Sequence, residues 1–212
     1  MPFDLSDSLK TWRHHLHAHP ELSCQERETA AYVCRVLGEL GIPYVANIGG
    51  HGVVATLVRE GGSRSVGLRA DMDALPILEA SGVAYASQNP GVMHACGHDG
   101  HTASLLGAAK LLADDPSWRG TVQFIFQPAE EGFGGALEML EDGLLRRFPF
   151  ERVFGYHNWP GLEAGTVALH DGPVMAATAN FNVTLTGHAG HAAMPHFCVD
   201  PVQGAAQLIL AF

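Results

Sequence analysis

Apolar residues recur at two different spacings along the chain, and the change of spacing separates predicted helices from predicted strands. Leu9, Trp12 and Leu16 lie three or four positions apart, and the segment 26–40 repeats this spacing before a glycine and a proline end it. Residues spaced in this way share one face of a helix. The pattern therefore predicts two amphipathic helices at the start of the chain.

Shorter runs rich in β-branched and aromatic residues predict strands further along the chain. The runs 52–58 and 65–70 flank the turn-forming segment 60–63, so they are predicted to pair as a hairpin. The run 121–127 is strongly apolar, which is typical of a strand in the centre of a sheet, and 152–156 is a further short apolar run. Four strands are therefore expected in this part of the chain.

Helices alternate with these strands, and the alternation predicts an α/β sandwich. Between the second and third predicted strands lies 102–113, a nearly all-apolar helical run of the kind that packs on a sheet. Sheets of this class gather the carboxyl ends of their strands at one edge, where ligands bind. Polar residues at the strand ends are therefore expected to share a site.

The composition is that of a globular chain. With 212 residues and 47% hydrophobic residues, the chain can bury a sizeable core. Its formal net charge of −10, with 12 Lys+Arg and no basic run, argues against nucleic acid and acidic membrane surfaces as partners. Four cysteines without close pairs, no secretory leader and no apolar run of membrane-spanning length favour a reducing cytoplasm.

The segment 93–102 concentrates metal-binding chemistry, with three imidazoles, a thiol and a carboxylate within ten residues. Cys96 and His98 are two positions apart, so both side chains can leave one side of the backbone and hold the same ion. A thiolate with an imidazole favours zinc, cobalt, nickel or iron over magnesium or calcium, and manganese stays open. The competing interpretation is a small buried cysteine beside a hydrogen-bonded histidine.

Four histidines on the first helix, within 14–19, have no acidic or thiol partner at ligand spacing and are predicted to face solvent.

Acidic residues and a histidine follow three of the predicted strands. Asp71 and Asp73 end one strand, Glu130 and Glu131 follow the next, and His157 follows the last. Adjacent glutamates point in different directions, so one can bind a metal while its neighbour acts as a general base. Taken separately, these are also ordinary turn and loop residues.

Six ordered motifs, spread over nearly the whole chain, resemble those of one known family. They are 17–22, 68–76, 94–101, 128–132, 157–160 and 187–196. The family is that of metal-dependent amidohydrolases and carboxypeptidases, which includes hippurate hydrolases, indole-acetyl-amino-acid hydrolases and N-acetyl-diaminopimelate deacetylases. The resemblance implies a mixed-sheet α/β sandwich of the zinc-exopeptidase type with an inserted α+β lid.

The resemblance also implies a reaction and the residues that perform it. Cys96, His98, Glu131 and His157 would bind two divalent ions (manganese, zinc, cobalt or nickel), and Glu130 would be the general base. The implied reaction is hydrolysis of an N-acyl amino acid, hippurate-like or N-acetylated, by a metal-activated water.

Further residues receive supporting roles from the same resemblance. Asp71 is the implied active-site aspartate near the metals, with Asp73 as a supporting carboxylate. His191 is implied to stabilise the oxyanion in a neighbouring subunit's site, which implies a homodimer or homo-oligomer. Three other polar residues are candidates for hydrogen bonds to the ligands or for the start of the helix: His94, Asp99 and His101.

The implied domain organisation is incomplete. Residues 1–178 would be the N-terminal part of the catalytic domain, and 179–212 would contain the first strand (180–186) and first helix (200–212) of the lid. Family members continue further and supply another metal-binding histidine there. Residues 1–212 by themselves are therefore expected to be weakly active or inactive.

Two other functions stay open at this point. Cys96 could be a nucleophile with His98 as its base, which would make a cysteine hydrolase, although a spacing of two makes that geometry awkward. A metal-binding remnant without enzymatic activity is the other alternative. Removal of the metal followed by its return distinguishes these alternatives from a metallohydrolase.

Overall fold

The computed structural model describes residues 5–212, so the first four residues of the predicted domain 1–178 lie outside it. The helices within those residues are α1 (Ser6–Ala18), α2 (Arg27–Glu39), α3 (His98–Asp114), α4 (Gly135–Glu141), α5 (Leu144–Arg147) and α6 (Pro201–Ala211). The strands are β1 (Tyr44–Ile48), β2 (Gly52–Arg59), β3 (Ser65–Asp71), β4 (Gly120–Gln127) and β5 (Arg152–Gly155). The helices predicted from apolar spacing are confirmed.

The described strands form one mixed sheet in the order β1-β2-β4-β3-β5. Strand β2 runs antiparallel to β1 and to β4. Strand β3 runs parallel to β4 and to β5. The predicted α/β class with a mixed sheet is therefore confirmed.

The predicted hairpin between 52–58 and 65–70 is wrong, because β4 lies between β2 and β3. Phe124 and Phe126 on one face of β4 are completely buried, and Ile125 on the other face is buried as well. A strand buried on both faces also needs hydrogen-bonding neighbours on both edges, because its backbone polar groups have no access to water. Strands β2 and β3 supply these neighbours, so they do not pair with each other.

Helices cover both faces of the sheet. Successive residues of a strand point to opposite faces. Phe124 and Phe126 therefore pack on one face with buried side chains of α1, α2 and α3, whereas Ile125 packs on the other with Met139 of α4 and Leu144 of α5. The result is the predicted sandwich, with the sheet between two layers of helices.

The register of the parallel strands brings the candidate residues to one edge of the sheet. Asp71 at the end of β3 pairs with Gln127 at the end of β4. Arg69 pairs with Gly155 at the end of β5, immediately upstream of the segment that carries His157. The carboxyl ends of the three strands therefore meet, as the sequence predicted.

The chain divides into two compact units. One ends at Gly161 and the other is Leu162–Phe212. The predicted domain boundary between 178 and 179 falls inside the second unit and stays a prediction. Throughout the described part of the chain, no helix has both the length and the apolar character needed to cross a membrane.

The second unit contains one of its two predicted elements. Helix α6 confirms the predicted helix 200–212, and Asp200 caps it by accepting a hydrogen bond from the backbone N–H of Val202 (2.9 Å). The predicted strand 180–186 is not formed. An extended segment becomes a strand only by pairing with a neighbour, and residues 5–212 provide no neighbour for this one.

Candidate metal centre

Cys96 and His157 place a sulfur and a ring nitrogen where one ion can bind both. Sγ of Cys96 lies 3.3 Å from Nε2 of His157. Nδ1 of His157 donates to the backbone carbonyl of Asn158 (2.7 Å), which leaves Nε2 as the nitrogen with a free lone pair. Two ligand atoms that share an ion lie roughly 3–4 Å apart, because zinc–ligand bonds are about 2.0–2.3 Å long. The pair therefore has suitable geometry for binding one metal ion.

His98 begins α3, and its ring is completely buried at the same edge. Nδ1 donates to Oδ1 of Asp73 (3.2 Å), so Nε2 is again the nitrogen with a free lone pair. This Nε2 lies 3.7 Å from Oε1 of Glu131, 3.7 Å from Oδ2 of Asp71 and 3.9 Å from Oε2 of Glu130. Nε2 of His98 and Oε1 of Glu131 are both buried, and neither has a hydrogen-bond partner within residues 5–212.

These two orphaned atoms fit a bound metal ion. Buried polar atoms are nearly always paired, and a metal ion satisfies a lone pair as a hydrogen bond does. Three sets of possible ligand atoms, each set within 4.8 Å, share His98: Cys96, His98 and His157; Asp71, His98 and His101; His98, Glu130 and Glu131. Sulfur, imidazole and carboxylate donors together suit zinc and its first-row neighbours. The structure thus brings the four predicted ligands to one edge, and their role as ligands stays a prediction.

Asp73 connects the buried histidine to the loop that carries the two glutamates. While Oδ1 accepts from His98, Oδ2 accepts from Oγ of Ser23 (2.6 Å) and from the backbone N–H of Glu131 (3.0 Å). Burial raises the pKa of Asp73, but these hydrogen bonds outweigh burial and lower the pKa to about 2. Asp73 is therefore an anion at neutral pH, and it fixes the orientation of His98.

Asp71 anchors a second chain of hydrogen bonds beside the candidate ligands. Oδ1 accepts from Nδ1 of His101 (2.7 Å), and Oδ2 accepts from Nη1 of Arg69 (2.8 Å). Nε2 of His101 in turn lies 2.5 Å from Oδ1 of Asn158. Burial raises the pKa of Asp71, but the hydrogen bond with His101 and the charge of Arg69 lower it overall. The predicted active-site aspartate is therefore ionised and lies beside His98.

Negative charge is concentrated around Cys96 and Glu130. Burial, followed by the charges of Glu131, Glu130 and Asp71, raises the pKa of Cys96 to about 12. Burial and the charges of Asp71 and Glu131 raise the pKa of Glu130. A divalent cation among these groups relieves their mutual repulsion and favours the thiolate, which is the form of cysteine that binds metals. The electrostatics of the edge therefore favour a bound cation.

The prediction that the histidines of the first helix face solvent is wrong for His17, whose side chain is buried. Nδ1 of His17 lies 2.9 Å from Oδ2 of Asp99, and Nε2 lies 3.1 Å from Oε1 of Glu79. Arg13, one turn earlier, donates to the same oxygen of Asp99 (3.1 Å). Spacing along α1 did not reveal these contacts, because both carboxylates come from distant segments.

Replacing His17 by alanine is expected to lower the free energy of unfolding by about 2 kcal/mol, because Asp99 stays buried and loses a hydrogen-bond partner. Urea unfolding of a full-length protein that carries this chain measures the change. The exposed His19, which directly follows the same helix, is the matched control, and His19→Ala should change the free energy of unfolding by less than about 0.5 kcal/mol. Equal effects of the two substitutions would contradict a structural role of His17.

Sequence reasoning also missed Glu26 and Asn158. The buried carboxylate of Glu26 accepts a hydrogen bond from the backbone N–H of Ala129 (2.7 Å), and Asn158 contacts His101. A glutamate before a helix and an asparagine after a strand are ordinary boundary residues. No local pattern therefore marks either residue as part of the site.

His191 belongs to the second compact unit. Its side chain is exposed, and Nδ1 accepts a hydrogen bond from the backbone N–H of Ala193 (3.1 Å). Of the predicted catalytic residues, Glu130 and Asp71 lie at the sheet edge, and the catalytic roles of Glu130, Asp71 and His191 all stay predictions.

Comparison with known proteins gives consistent matches. A model of peptidase family M20/M25/M40 matches residues 67–209. An N-acetyl-L-cysteine deacetylase of Bacillus subtilis is 48% identical over 200 residues, which cover 94% of this chain and 48% of that protein. A hippurate hydrolase of Campylobacter jejuni is 43% identical over 208 residues, which cover 98% of this chain and 54% of that protein. The chain thus spans about half the length of the curated relatives it matches.

A solved structure shares the fold. A Bacillus subtilis protein described as a dinuclear metal-binding peptidase of the M20 family superposes with a TM-score of 0.75 at 44% sequence identity. The superposition covers 79% of this chain and 47% of that chain.

Proposed function

Because the chain belongs to peptidase family M20/M25/M40, we propose that a full-length protein carrying it hydrolyses the amide bond of N-acyl amino acids with the help of bound divalent metal ions. The observation that carries this proposal is the buried Nε2 of His98, which has no hydrogen-bond partner among the described residues. His98 is also the residue that three sets of possible ligands share. The names of the relatives, which include a hippurate hydrolase and an N-acyl-L-amino acid amidohydrolase, support the substrate class.

Cys96, His98, Glu131 and His157 are the proposed metal ligands. His98 and His157 each form a hydrogen bond through Nδ1, which leaves Nε2 free to bind a metal. Oε1 of Glu131 is buried without a hydrogen-bond partner among the described residues. Two ions are proposed because a relative's structure is described as dinuclear, and manganese, zinc, cobalt and nickel are the candidates. When bound, such ions lower the pKa of a water molecule and stabilise negative charge on the substrate oxygen.

Glu130 is the proposed general base. Its side chain is 41% exposed, so it can reach a water molecule on the open side, while its Oε2 lies 3.9 Å from Nε2 of His98. Burial and, after it, the neighbouring carboxylates raise its pKa, which makes Glu130 a better proton acceptor than an ordinary glutamate. Glu130 takes a proton from the attacking water and returns it to the nitrogen of the leaving amine.

Asp71 and His191 complete the proposed catalytic group. Asp71 holds His101 and Arg69 by hydrogen bonds and thereby maintains negative charge beside His98. His191 is proposed to donate a hydrogen bond to the substrate oxygen in a partner subunit's site. A homodimer or homo-oligomer through 179–212 is part of the same proposal, because a histidine that serves a partner's site requires a second copy of the chain.

A cytoplasmic location is part of the proposal. It is supported by the four cysteines, Cys24, Cys34, Cys96 and Cys198, which are all free thiols in the structure. Proteins that work in oxidising compartments use such residues in disulfides more often.

A cysteine hydrolase is the second candidate, because Cys96 lies 3.3 Å from His157. A nucleophilic cysteine needs a lowered pKa. Here burial and the charge of Glu131 raise the pKa of Cys96 to about 12, which opposes formation of a reactive thiolate. The proposal therefore assigns this thiol to the metal.

Chelation tests the proposed function. We expect a strong chelator to lower the hydrolysis of hippurate and N-acetyl amino acids by about 100-fold or more, and added manganese, zinc or cobalt to restore it. The loss follows from the several kcal/mol that a metal contributes to the transition state. Initial rates across a panel of N-acyl amino acids measure the effect. Turnover that persists in metal-free protein would support the cysteine hydrolase, and absence of turnover at every metal concentration would support a non-enzymatic metal-binding protein.

A further inference from the structure

Glu26 is a completely buried carboxylate at the point where α2 begins. A residue in this position commonly caps its own helix, but the side chain of Glu26 makes no such hydrogen bond. Its Oε1 instead accepts a hydrogen bond from the backbone N–H of Ala129, 2.7 Å away and 103 residues further along the chain. Burying a carboxylate is costly, so this contact needs a physical explanation.

Ala129 adopts an unusual backbone conformation directly before the two glutamates of the site. Its φ is +51°, in the left-handed region that residues with a Cβ rarely adopt. The backbone at Ala129 sets the direction in which the chain enters Glu130 and Glu131. A change of φ here would therefore move the proposed base and a proposed ligand together.

The loop 129–131 is held from two sides by carboxylates. Glu26 accepts from the N–H of Ala129, and Asp73 accepts from the N–H of Glu131 (3.0 Å). Asp73 also orients His98, so the second contact fixes the loop relative to the metal centre. Of these two carboxylates, Glu26 acts on Ala129 itself, whose carbonyl also accepts a hydrogen bond from the backbone N–H of Gly135 (3.1 Å).

We propose that Glu26 is a positioning residue, which holds Ala129 in its left-handed conformation and thereby aims Glu130 and Glu131 at the metal centre. The proposal rests on the proposed function and adds a residue to its machinery. A displacement of about 1 Å in a catalytic group can lower a rate by roughly 100-fold, so a hydrogen bond that fixes the backbone beside Glu130 acts directly on turnover.

The hydrogen bond from the N–H of Ala129 requires an acceptor oxygen, and a neutral side chain can provide that oxygen as well as a carboxylate can. Burial raises the pKa of Glu26, although the hydrogen bond from Ala129 opposes this rise. Glutamine keeps an acceptor oxygen at the same distance from the backbone, whereas alanine removes it. Glu26→Gln is therefore the conservative variant, and Glu26→Ala is the disruptive one.

Amide hydrogen exchange tests the positioning without any turnover. In metal-free, full-length protein, Glu26→Ala is expected to speed exchange of the amides in 129–131 by about tenfold or more. In Glu26→Gln the exchange rates of these amides should stay close to those of the parent protein. Amides in the buried interior of α3 are the internal control, because they report whether the fold is intact.

Steady-state kinetics test the consequence for the reaction. Glu26→Ala is expected to lower kcat by roughly 10- to 100-fold with KM changed less than about threefold, and Glu26→Gln should recover most of the loss. Ala129→Gly serves as the matched background, because glycine adopts positive φ readily. In that background the loss caused by Glu26→Ala should shrink by about fivefold.

Two results together would support the proposal. Glu26→Ala should speed amide exchange in 129–131, and the loss of kcat that it causes should be smaller when residue 129 is glycine. Unchanged exchange in Glu26→Ala would overturn it, as would unchanged kcat in a protein whose parent is active. A loss of kcat that is equal in both backgrounds would also overturn it, since Glu26 would then act through general stability. If the parent protein hydrolyses no N-acyl amino acid, the proposed function fails, and the exchange result still decides whether Glu26 holds the loop.

Discussion

In a full-length protein that carries this chain, replacing Glu130 by glutamine is expected to lower kcat for the proposed hydrolysis of N-acyl amino acids by roughly 1,000-fold and to leave metal binding intact. Glutamine has the shape of glutamate but neither accepts a proton from water nor returns one to the leaving amine. Oε2 of Glu130 lies 3.9 Å from Nε2 of His98, which places the carboxylate beside the candidate ligands. Turnover of hippurate and N-acetyl amino acids, with metal content determined on the same samples, measures both parts of the expectation.

The exposed Glu60 provides a matched control, because Glu60→Gln makes the same chemical change away from the site. Its activity should equal that of the parent protein within about twofold. Near-full activity of Glu130→Gln would show that Glu130 is not the base. Loss of metal together with activity would instead identify Glu130 as a ligand, since one of the three ligand sets around His98 includes it.

Replacing His98 by alanine is expected to lower metal affinity by about 100-fold or more and to remove turnover with it. His98 is the residue that all three sets of possible ligand atoms share, and its Nε2 is buried without a hydrogen-bond partner in the described part of the chain. Loss of a residue that orients a metal ligand typically lowers metal affinity about 10- to 100-fold, and loss of the ligand itself should lower the affinity at least as much. Calorimetric titration with zinc or manganese measures the affinity.

His94 is the matched control for this substitution. It lies in the same segment and is also buried, but neither of its ring nitrogens bonds to another described residue, and it belongs to none of the ligand sets. His94→Ala should therefore retain metal binding, and a thermal unfolding curve for each variant separates loss of a ligand from loss of the fold. Equal loss of affinity in the two variants would argue against His98 as a ligand.

Local patterns predicted the elements of this fold better than their arrangement. Apolar spacing predicted α1 and α2, and the strongly apolar run 121–127 was recognised as a central strand. The hairpin between 52–58 and 65–70 failed because strand partners are chosen by burial across the whole sheet, and β4 needed both edges paired. Pairing of this kind joins segments far apart in the chain, so a window of local sequence does not contain it.

The candidate site was predictable where its chemistry is concentrated in sequence. Cys96 and His98 are visible from their spacing, and Glu130 and Glu131 follow from the rule that strand ends meet at one edge. His17 was misread because its partners, such as Asp99, come from segments that only the folded chain brings to α1. Residues that hold a site together through single long-range hydrogen bonds therefore leave little trace in the local pattern.

The pairing of Asp71 with Gln127 also limits the sequence changes that this site tolerates. Side chains alternate between the two faces of a strand, so a shift of β3 by one residue along β4 would turn Asp71 away from His98. An insertion or deletion of one residue in β3 is therefore equivalent to removing that carboxylate. Exchanges of core side chains that conserve volume keep the register and leave the carboxylate in place. The sheet thus tolerates a change in the identity of a buried residue better than a change in the number of residues in β3.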